Sequence, residues 1–329
     1  SMNRRTLIKH SLLLGISSLL PLKRIASATS AQNSAAGNNF HRFKLGKLEL
    51  FVVTDGHILF PSIQPAFAPG IDSARVAHVL EDEFLPTSHA DLSMNVLVLK
   101  WNEKVILIDT GCGTLFGENS GWLTKNLLQI DIRPQQVTDI VLTHAHPDHI
   151  GGLLNQQDDL IFKNAAIHLS RIERDFWQQP KPDLSKSKMN NSATKTLIID
   201  TAHQMLAKAK KQLHLFEDGD ILLDCIKVEL APGHTPGHSI VTIFSDGEEL
   251  VHTADLVHSQ VLAFAHPEWG FDGDTDFDMA VRTRKAVLEQ LAQTRKQAFS
   301  YHLPWPGLGH VKREGDGYAW VQKSFVLPD

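Results

Sequence analysis

From about residue 40 the chain alternates between runs of period-two hydrophobicity and short turn signals. His41 to Leu45 and Lys47 to Thr54 read as a hairpin about Gly46, with Leu48, Leu50 and Val52 sharing one face. Its second strand is expected to end at Asp55-Gly56-His57. Asn95 to Trp101 and Lys104 to Asp109 form a second hairpin around Asn102-Glu103, closed by Asp109-Thr110-Gly111. Ile140 to Leu142 and Ala166 to Leu169 read as short strands, and Leu213 to Phe216 with Ile221 to Leu223 as a hairpin over Asp218-Gly219. Val228 to Leu230, Glu249 to Thr253 and Gln297 to Tyr301 complete the β-type runs.

Helical spacing interrupts these runs. Ser73 to Leu85 is a weak helix, Trp122 to Ile130 a short amphipathic one, and Ser170 caps a helix ending at Phe176-Trp177. Ala193 to Lys211 and Thr275 to Gln293 are longer. The last, capped by Asp274 or Thr275, carries Phe277, Val281, Val287, Leu288 and Leu291 on the face expected to pack on the second sheet. Pro61 to Ser93 is otherwise loop, with Gln64 to Gly70 read as a lid or a dimer contact, and Gln178 to Asn190 is an exposed loop. Two sheets built from successive hairpins, with helices outside, predict an α/β protein of αβ/βα four-layer sandwich type.

The chemistry gathers where strands end. Thr143-His144-Ala145-His146-Pro147-Asp148-His149-Ile150-Gly151-Gly152 follows the apolar Ile140-Val141-Leu142. In an extended backbone His144 and His146 point the same way and can chelate one ion. Pro147 then turns the chain, aiming Asp148 and His149 at a second point, so one loop begins two metal sites. Imidazole and carboxylate donors suit zinc, and also iron, manganese or cobalt. Further donors follow later strands: His234 and His238 in Ala231-Pro232-Gly233-His234-Thr235-Pro236-Gly237-His238, Asp255 after Ala254, and His302 after Tyr301.

The pattern His-x-His-x-Asp-His, a later Gly-His, a later Asp and a last His resembles the metallo-β-lactamase superfamily, and within it the methyl parathion hydrolase and lactonase branch. The likeness runs from about Phe40 to the C-terminus and includes Leu107-Ile108-Asp109-Thr110-Gly111, Asp175-Phe176-Trp177 and His302-Leu303-Pro304-Trp305-Pro306-Gly307. The resemblance implies two sheets facing each other across a binuclear centre. It assigns His144, His146 and His234 to one divalent metal, Asp148, His149 and His302 to the other, and Asp255 to both. A metal-bridging hydroxide is then the expected nucleophile, with Asp148 placed to take a proton or steer it. Asp109 is implied as an anchor of the metal loop. Asp55 either holds a ligating imidazole or is a solvated turn residue, and His238 is expected to hold its turn rather than ligate.

Residues 1–28 read as a removable N-terminus: Ser1 ahead of Met2 is a cloning residue, and Arg4-Arg5, the apolar Ser11 to Leu22 and Ala26-Ser27-Ala28 form a twin-arginine-type signal peptide. An apolar run of roughly 12 residues falls short of the roughly 20 that span a bilayer, so no stable membrane anchor is expected. Residues 29–39 read as a flexible leader and 40–329 as a single hydrolase domain, periplasmic or secreted. Of 32 Lys and Arg against 37 Asp and Glu, five basic and no acidic residues lie in 1–28, leaving 27 against 37. That acidic balance argues against a nucleic-acid partner. Cys112 and Cys225 are too few for a disulfide framework and lack zinc-ligand spacing.

Phe116, Trp177, Phe264, Trp269, Phe271 and Trp305 lie on or near loops that follow site strands, where Lys and Arg are sparse, and His258 follows Asp255 by three residues. Substrate contact is assigned to Phe116, Trp177, His258, Trp269, Phe271 and Trp305, with a small neutral apolar or aromatic ester as partner. The expected function is a secreted, two-metal hydrolase of lactones or aryl esters. An organophosphate triesterase of the methyl parathion hydrolase type is the alternative, although Gln178 to Asn190 holds no aromatic residue. A non-catalytic periplasmic metal- or ligand-binding protein is the alternative of another class. A homodimer is expected by analogy with relatives alone.

Overall fold

The computed structural model describes residues 39–325. The expected signal peptide, and the leader but for Asn39, lie outside the described residues. Among the described residues no helix is long and apolar enough to cross a membrane.

Among the described residues, fourteen strands divide into two seven-stranded sheets, each ordered as in the sequence. The first holds β1 (Phe40–Leu45), β2 (Leu48–Phe60), β3 (Ala90–Trp101), β4 (Lys104–Ile108), β5 (Asp139–Val141), β6 (Ala166–Ser170) and β7 (Leu213–Phe216). The second holds β8 (Ile221–Leu222), β9 (Ile226–Leu230), β10 (Ser239–Ser245), β11 (Glu248–His252), β12 (Gln297–Phe299), β13 (Leu308–Glu314) and β14 (Gly317–Gln322). The helices are α1 (Ser73–Asp82), α2 (Leu123–Leu127), α3 (Pro147–Ile150), α4 (Arg171–Trp177), α5 (Ser192–Ala209), α6 (Leu262–Ala265) and α7 (Phe277–Thr294). β4 to β7 run parallel, as do β11 and β12, which α7 connects.

Strand alternation sorts the core into layers. On β3, Leu97 and Leu99 face the second sheet and meet Val228, Val241, Ile243, Leu250 and Phe299. Their neighbours Val96 and Val98 turn the other way, into a cluster with Leu127, Ala202 and Leu206 of the helices. Ile240, Val251 and Ala298 of the second sheet meet Leu288 and Leu291 of α7. Three apolar layers between helix, sheet, sheet and helix make the four-layer sandwich.

Several local expectations change. β2 does not stop at Asp55 but runs to Phe60 through a register shift between Thr54 and His57. Gly56 takes φ +101° there, and a Cβ would stand 2.2 Å from the Asn119 carbonyl oxygen, so this bulge requires glycine. β7 and β8 are not a hairpin: β7 pairs with β6 and β8 with β9, and the turn between them crosses from one sheet to the other. Leu230 N–H donates to the Asp218 carboxylate and Gly219 N–H to the Val228 carbonyl, tying that turn to β9. Ser170 stands at the N-cap of α4 without a side-chain capping bond. The cap of α7 is Asp276, which accepts from Met279 N–H. The buried stripe of α7 is Phe277, Ala280, Arg284, Leu288 and Leu291, with Val281 and Val287 only half-buried. Gln64 to Gly70 packs within the chain: Phe67 and Ala68 are buried, Ala68 N–H donates to Gly270 and Asp272 N–H to Ala66.

Candidate metal centre

Every expected ligand leaves the end of a strand or its first turn. His144 and His146 follow β5, and Pro147 opens the single turn α3, whose first positions carry Asp148 and His149. Proline suits that first helical position because it has no N–H to leave unpaired. His234 follows β9, Asp255 follows β11 after Ala254 at φ +48°, and His302 follows β12.

The structure brings all seven together in two groups that share Asp255: His144, His146, His234 and Asp255, and Asp148, His149, Asp255 and His302. His146 Nδ1 lies 2.9 Å from His234 Nε2, and His234 Nε2 lies 3.2 Å from Asp255 Oδ2. In the second group His302 Nε2 lies 3.0 Å from Asp148 Oδ2, and His149 Nε2 lies 3.0 Å from Asp255 Oδ1. Donors about 2.0–2.1 Å from a tetrahedral ion stand about 3.3 Å apart, so these separations fit one ion per group. His144 Nε2, His149 Nε2 and Asp255 Oδ1 are buried with no hydrogen-bond partner. Buried acceptors without donors are costly, and a cation held by each group would satisfy them. Asp148 and Asp255 stay ionised well below the usual carboxylate range: burial opposes this, but the His149 and His302 imidazoles prevail.

Buried carboxylates fix the ligands from behind. Asp109, at φ +67°, accepts His149 Nδ1–H at 2.8 Å and both the backbone N–H and hydroxyl of Thr143. His238 remains neutral, pushed by burial down to about 3, with Nδ1–H donated to the Ala231 carbonyl and Nε2 accepting from Asp255 N–H. It therefore holds the backbone of the carboxylate common to both groups. Asp55 touches no ligating imidazole. It accepts from Cys112 N–H and Leu123 N–H, bracing the Gly111-Cys112 bend against α2, and burial raises its carboxyl to about 6.

Two further carboxylates carry no clear mark in the sequence. Glu173 accepts from Ala145 N–H, Trp177 Nε1–H, the Thr235 hydroxyl and Gly237 N–H, joining the His144 and His234 loops. Asp274, expected as a helix cap, instead accepts His234 Nδ1–H at 2.8 Å and is paired to Arg284 at 3.0 Å. The available signal was Arg284, a charge on the apolar stripe between Ala280 and Leu288.

A cavity of about 270 Å³ opens over the ligands. Phe116, His258 and Phe271 line it, with Ile58, Phe60, Leu92, Met189, Leu197 and Ile198, which the hydrophobic pattern had given no reason to separate from core. His258 stacks on Phe271 at 4.0 Å and its Nε2 meets Asp255 Oδ2 at 3.1 Å. Three expected walls lie elsewhere. Trp177 is fully buried against Glu173 and the edge of His146, Trp269 stacks on His266 in a separate cluster, and Trp305 stands at the surface. Their hydrophobic area is used in packing or left exposed, while smaller side chains on β2 and α5 shape the cavity.

A sequence model described as the metallo-β-lactamase superfamily matches residues 91–297. The chain belongs to the metallo-β-lactamase superfamily. Within that superfamily it is similar to AidC, a dizinc quorum-quenching lactonase solved with the product N-hexanoyl-L-homoserine, at 42% identity and a TM-score of 0.84 over 88% of this chain and 98% of that one. It is also similar to the hydrolase AbOPH of the β-lactamase superfamily, at 28% identity and a TM-score of 0.80 over 88% of this chain and 99% of that one. A B. thuringiensis AiiA variant with N-decanoyl-L-homoserine at its active site shares the fold at 17% identity and a TM-score of 0.54, over 79% and 94%. No curated protein matches the chain. The protein is thus a metal-dependent hydrolase of this superfamily with donors for two divalent ions.

Proposed function

We propose that the protein is a dizinc lactonase acting on neutral lactones with an apolar acyl chain, the N-acyl homoserine lactones among them. The observation that carries this reading is the cavity: it ends on Asp148, Asp255 and His302, its walls are mostly aliphatic and phenyl groups beside Thr194, His258 and Asp272, and among the described residues no Lys or Arg lines it. A ring ester set over the ligands and a hydrocarbon tail along Phe60, Leu92 and Ile198 match that lining. The similarity to AidC supports the same substrate class and zinc.

Two zinc ions held by these groups would supply Lewis acidity at the ester carbonyl and water acidified to near-neutral pKa. The chain's own groups do the remainder. Asp148 is 15% exposed at its side chain, more than the second group's other ligands, and this carboxylate is placed to take the proton released by the attacking water and pass it to the departing alkoxide. His258 braces Asp255 from the cavity side, and the apolar walls exclude bulk water. Arg4-Arg5 and the apolar stretch after them support export of the folded enzyme, which cell fractionation checks.

Phe60, Phe116 and Phe271 favour a second reading, hydrolysis of aryl phosphotriesters, since they offer faces for an aryl leaving group. The test is kcat/KM of the metal-loaded protein on N-hexanoyl homoserine lactone and on an aryl phosphotriester, with Asp255→Ala as control. The lactone is expected to be faster by orders of magnitude; a faster triester overturns the first reading.

A further inference from the structure

α7 carries one buried guanidinium where its spacing calls for an apolar side chain. Arg284 lies between Ala280 and Leu288 on the buried stripe, with its side chain 3% exposed. Its three hydrogen bonds go to three different segments. Nη2–H donates to Asp274 Oδ2 at 3.0 Å, Nε–H to the Leu256 carbonyl at 2.8 Å and Nη1–H to the Pro267 carbonyl at 3.0 Å. Two of these lead to the metal centre. Asp274 passes its other oxygen to His234 Nδ1 at 2.8 Å, and Leu256 directly follows Asp255.

The rest of the helix confirms the direction of this contact. The Thr283 hydroxyl donates to the Pro232 carbonyl, and a Cβ on Gly233 would stand 2.4 Å from Ala280 Cα. α7 is therefore docked directly on the His234 loop. His144 and His146 come from the first sheet's loop and owe nothing to it; the two ligands that complete their group, His234 and Asp255, both stand one contact away from Arg284.

We propose that Arg284 is a positioning residue for the group formed by His144, His146, His234 and Asp255. Through Asp274 it fixes the His234 ring with Nε2 toward the ion, and through the Leu256 carbonyl it sets the backbone that delivers Asp255. The neutral alternative at this stripe position, Leu or Met, fills the same space and carries neither bond. An arginine is required because its planar fork reaches three acceptors at once, which a lysine ammonium on a flexible stem does not. The group formed by Asp148, His149 and His302 has its own anchors in Asp109 and the Ser93 carbonyl, and Arg284 reaches it only through the shared Asp255.

This inference rests on the two-metal reading of the site and is independent of the substrate. The test is a chelator titration of the zinc-loaded full-length protein, counting ions per chain by atomic emission, with Co(II) absorption spectra of the substituted protein. Arg284→Met is expected to weaken one of the two ions 10- to 100-fold, the range for lost partners of metal ligands, and leave the other within a few-fold. Arg284→Lys should fall between. Asp274→Asn should weaken the same ion, and the double variant should lose less than the product of the two, because the two residues share the path through Asp274 to His234. Equal release of both ions, or none, in the single variants overturns the proposal, as does a multiplicative double variant. If Arg284→Met does not fold, Asp274→Asn and Arg284→Lys decide alone: unchanged affinity in both refutes it. Wild-type protein that takes up no zinc refutes instead the two-metal reading beneath it.

Discussion

The indole N–H of Trp177 is donated to Glu173 over 2.7 Å. With Ala145, Thr235 and Gly237 also donating, Glu173 is the buried junction between the loop that starts the metal centre and the loop that supplies His234. Glu173→Gln replaces one oxygen by an amide that donates toward donors. Chemical denaturation should show a loss of roughly 2–4 kcal/mol, since each stranded buried donor costs about 1–3 kcal/mol. A loss under about 0.5 kcal/mol would mean that the two loops are held by something other than this carboxylate.

Asp255 is the one side chain common to both ligand groups. Asp255→Ala should reduce bound zinc below two per chain and cut lactone kcat/KM by more than 100-fold, beyond the usual effect of losing a partner behind a ligand. Chelation of the wild-type protein should lower its Tm, because ions that bind only the folded state add stability of about 2.7 kcal/mol at a hundredfold excess over Kd. An unaltered Tm on complete zinc removal contradicts the assignment.

Thr194 faces the cavity from α5. Thr194→Trp should occupy part of the roughly 270 Å³ available. A long acyl chain then loses room that a short one never used. The expected result is KM raised tenfold or more for a decanoyl lactone with little change for a butanoyl one, in line with about 1–3 kcal/mol per displaced methylene in a hydrophobic pocket. Equal effects on both chains would place the acyl group elsewhere.

Away from the centre, Asp139 accepts from His168 at 3.0 Å and from Lys104 at 3.3 Å. Burial would raise its carboxyl, but the hydrogen bonds from His168, Thr138 and Lys104 outweigh burial and leave it lowered. A carboxyl lowered by folding stabilises fully above its unfolded pKa of about 3.9 and stops doing so as pH falls through the folded value. Asp139→Asn should therefore cost about 1–3 kcal/mol near pH 7, and the gap to wild type should close below about pH 4. Urea melts at pH 7 and pH 3.5 measure both; a gap that widens in acid has the wrong sign for this account.

The ligands were legible because metal binding forces particular residue types into tight spacing on loops after strands, and no packing demand competes with it. The layers were legible for a similar reason: Leu97 and Leu99 alternate with Val96 and Val98, and each set has a face to fill. What could not be read depends on which distant segment comes near. Leu213 to Phe216 and Ile221 to Leu222 have the spacing of a hairpin, and only the availability of β6 and β9 as partners sends them to different sheets. Asp274 has the right neighbours for a helix cap and is drawn instead to His234. Trp177, Trp269 and Trp305 are as apolar as the residues that line the cavity, and hydrophobicity alone does not say which surface a side chain meets.

The crossing between β7 and β8 divides the ligands by when they are made. Each ligand group takes two donors from the 40–216 portion and two from the portion beyond, counting Asp255 for both. A growing chain on the ribosome offers each ion only half a coordination shell until the second sheet emerges, and the second shell closes only with His302. Metal retention thus waits on the second sheet: a product truncated before that sheet exposes the histidines of the first loop but lacks the donors that complete either group.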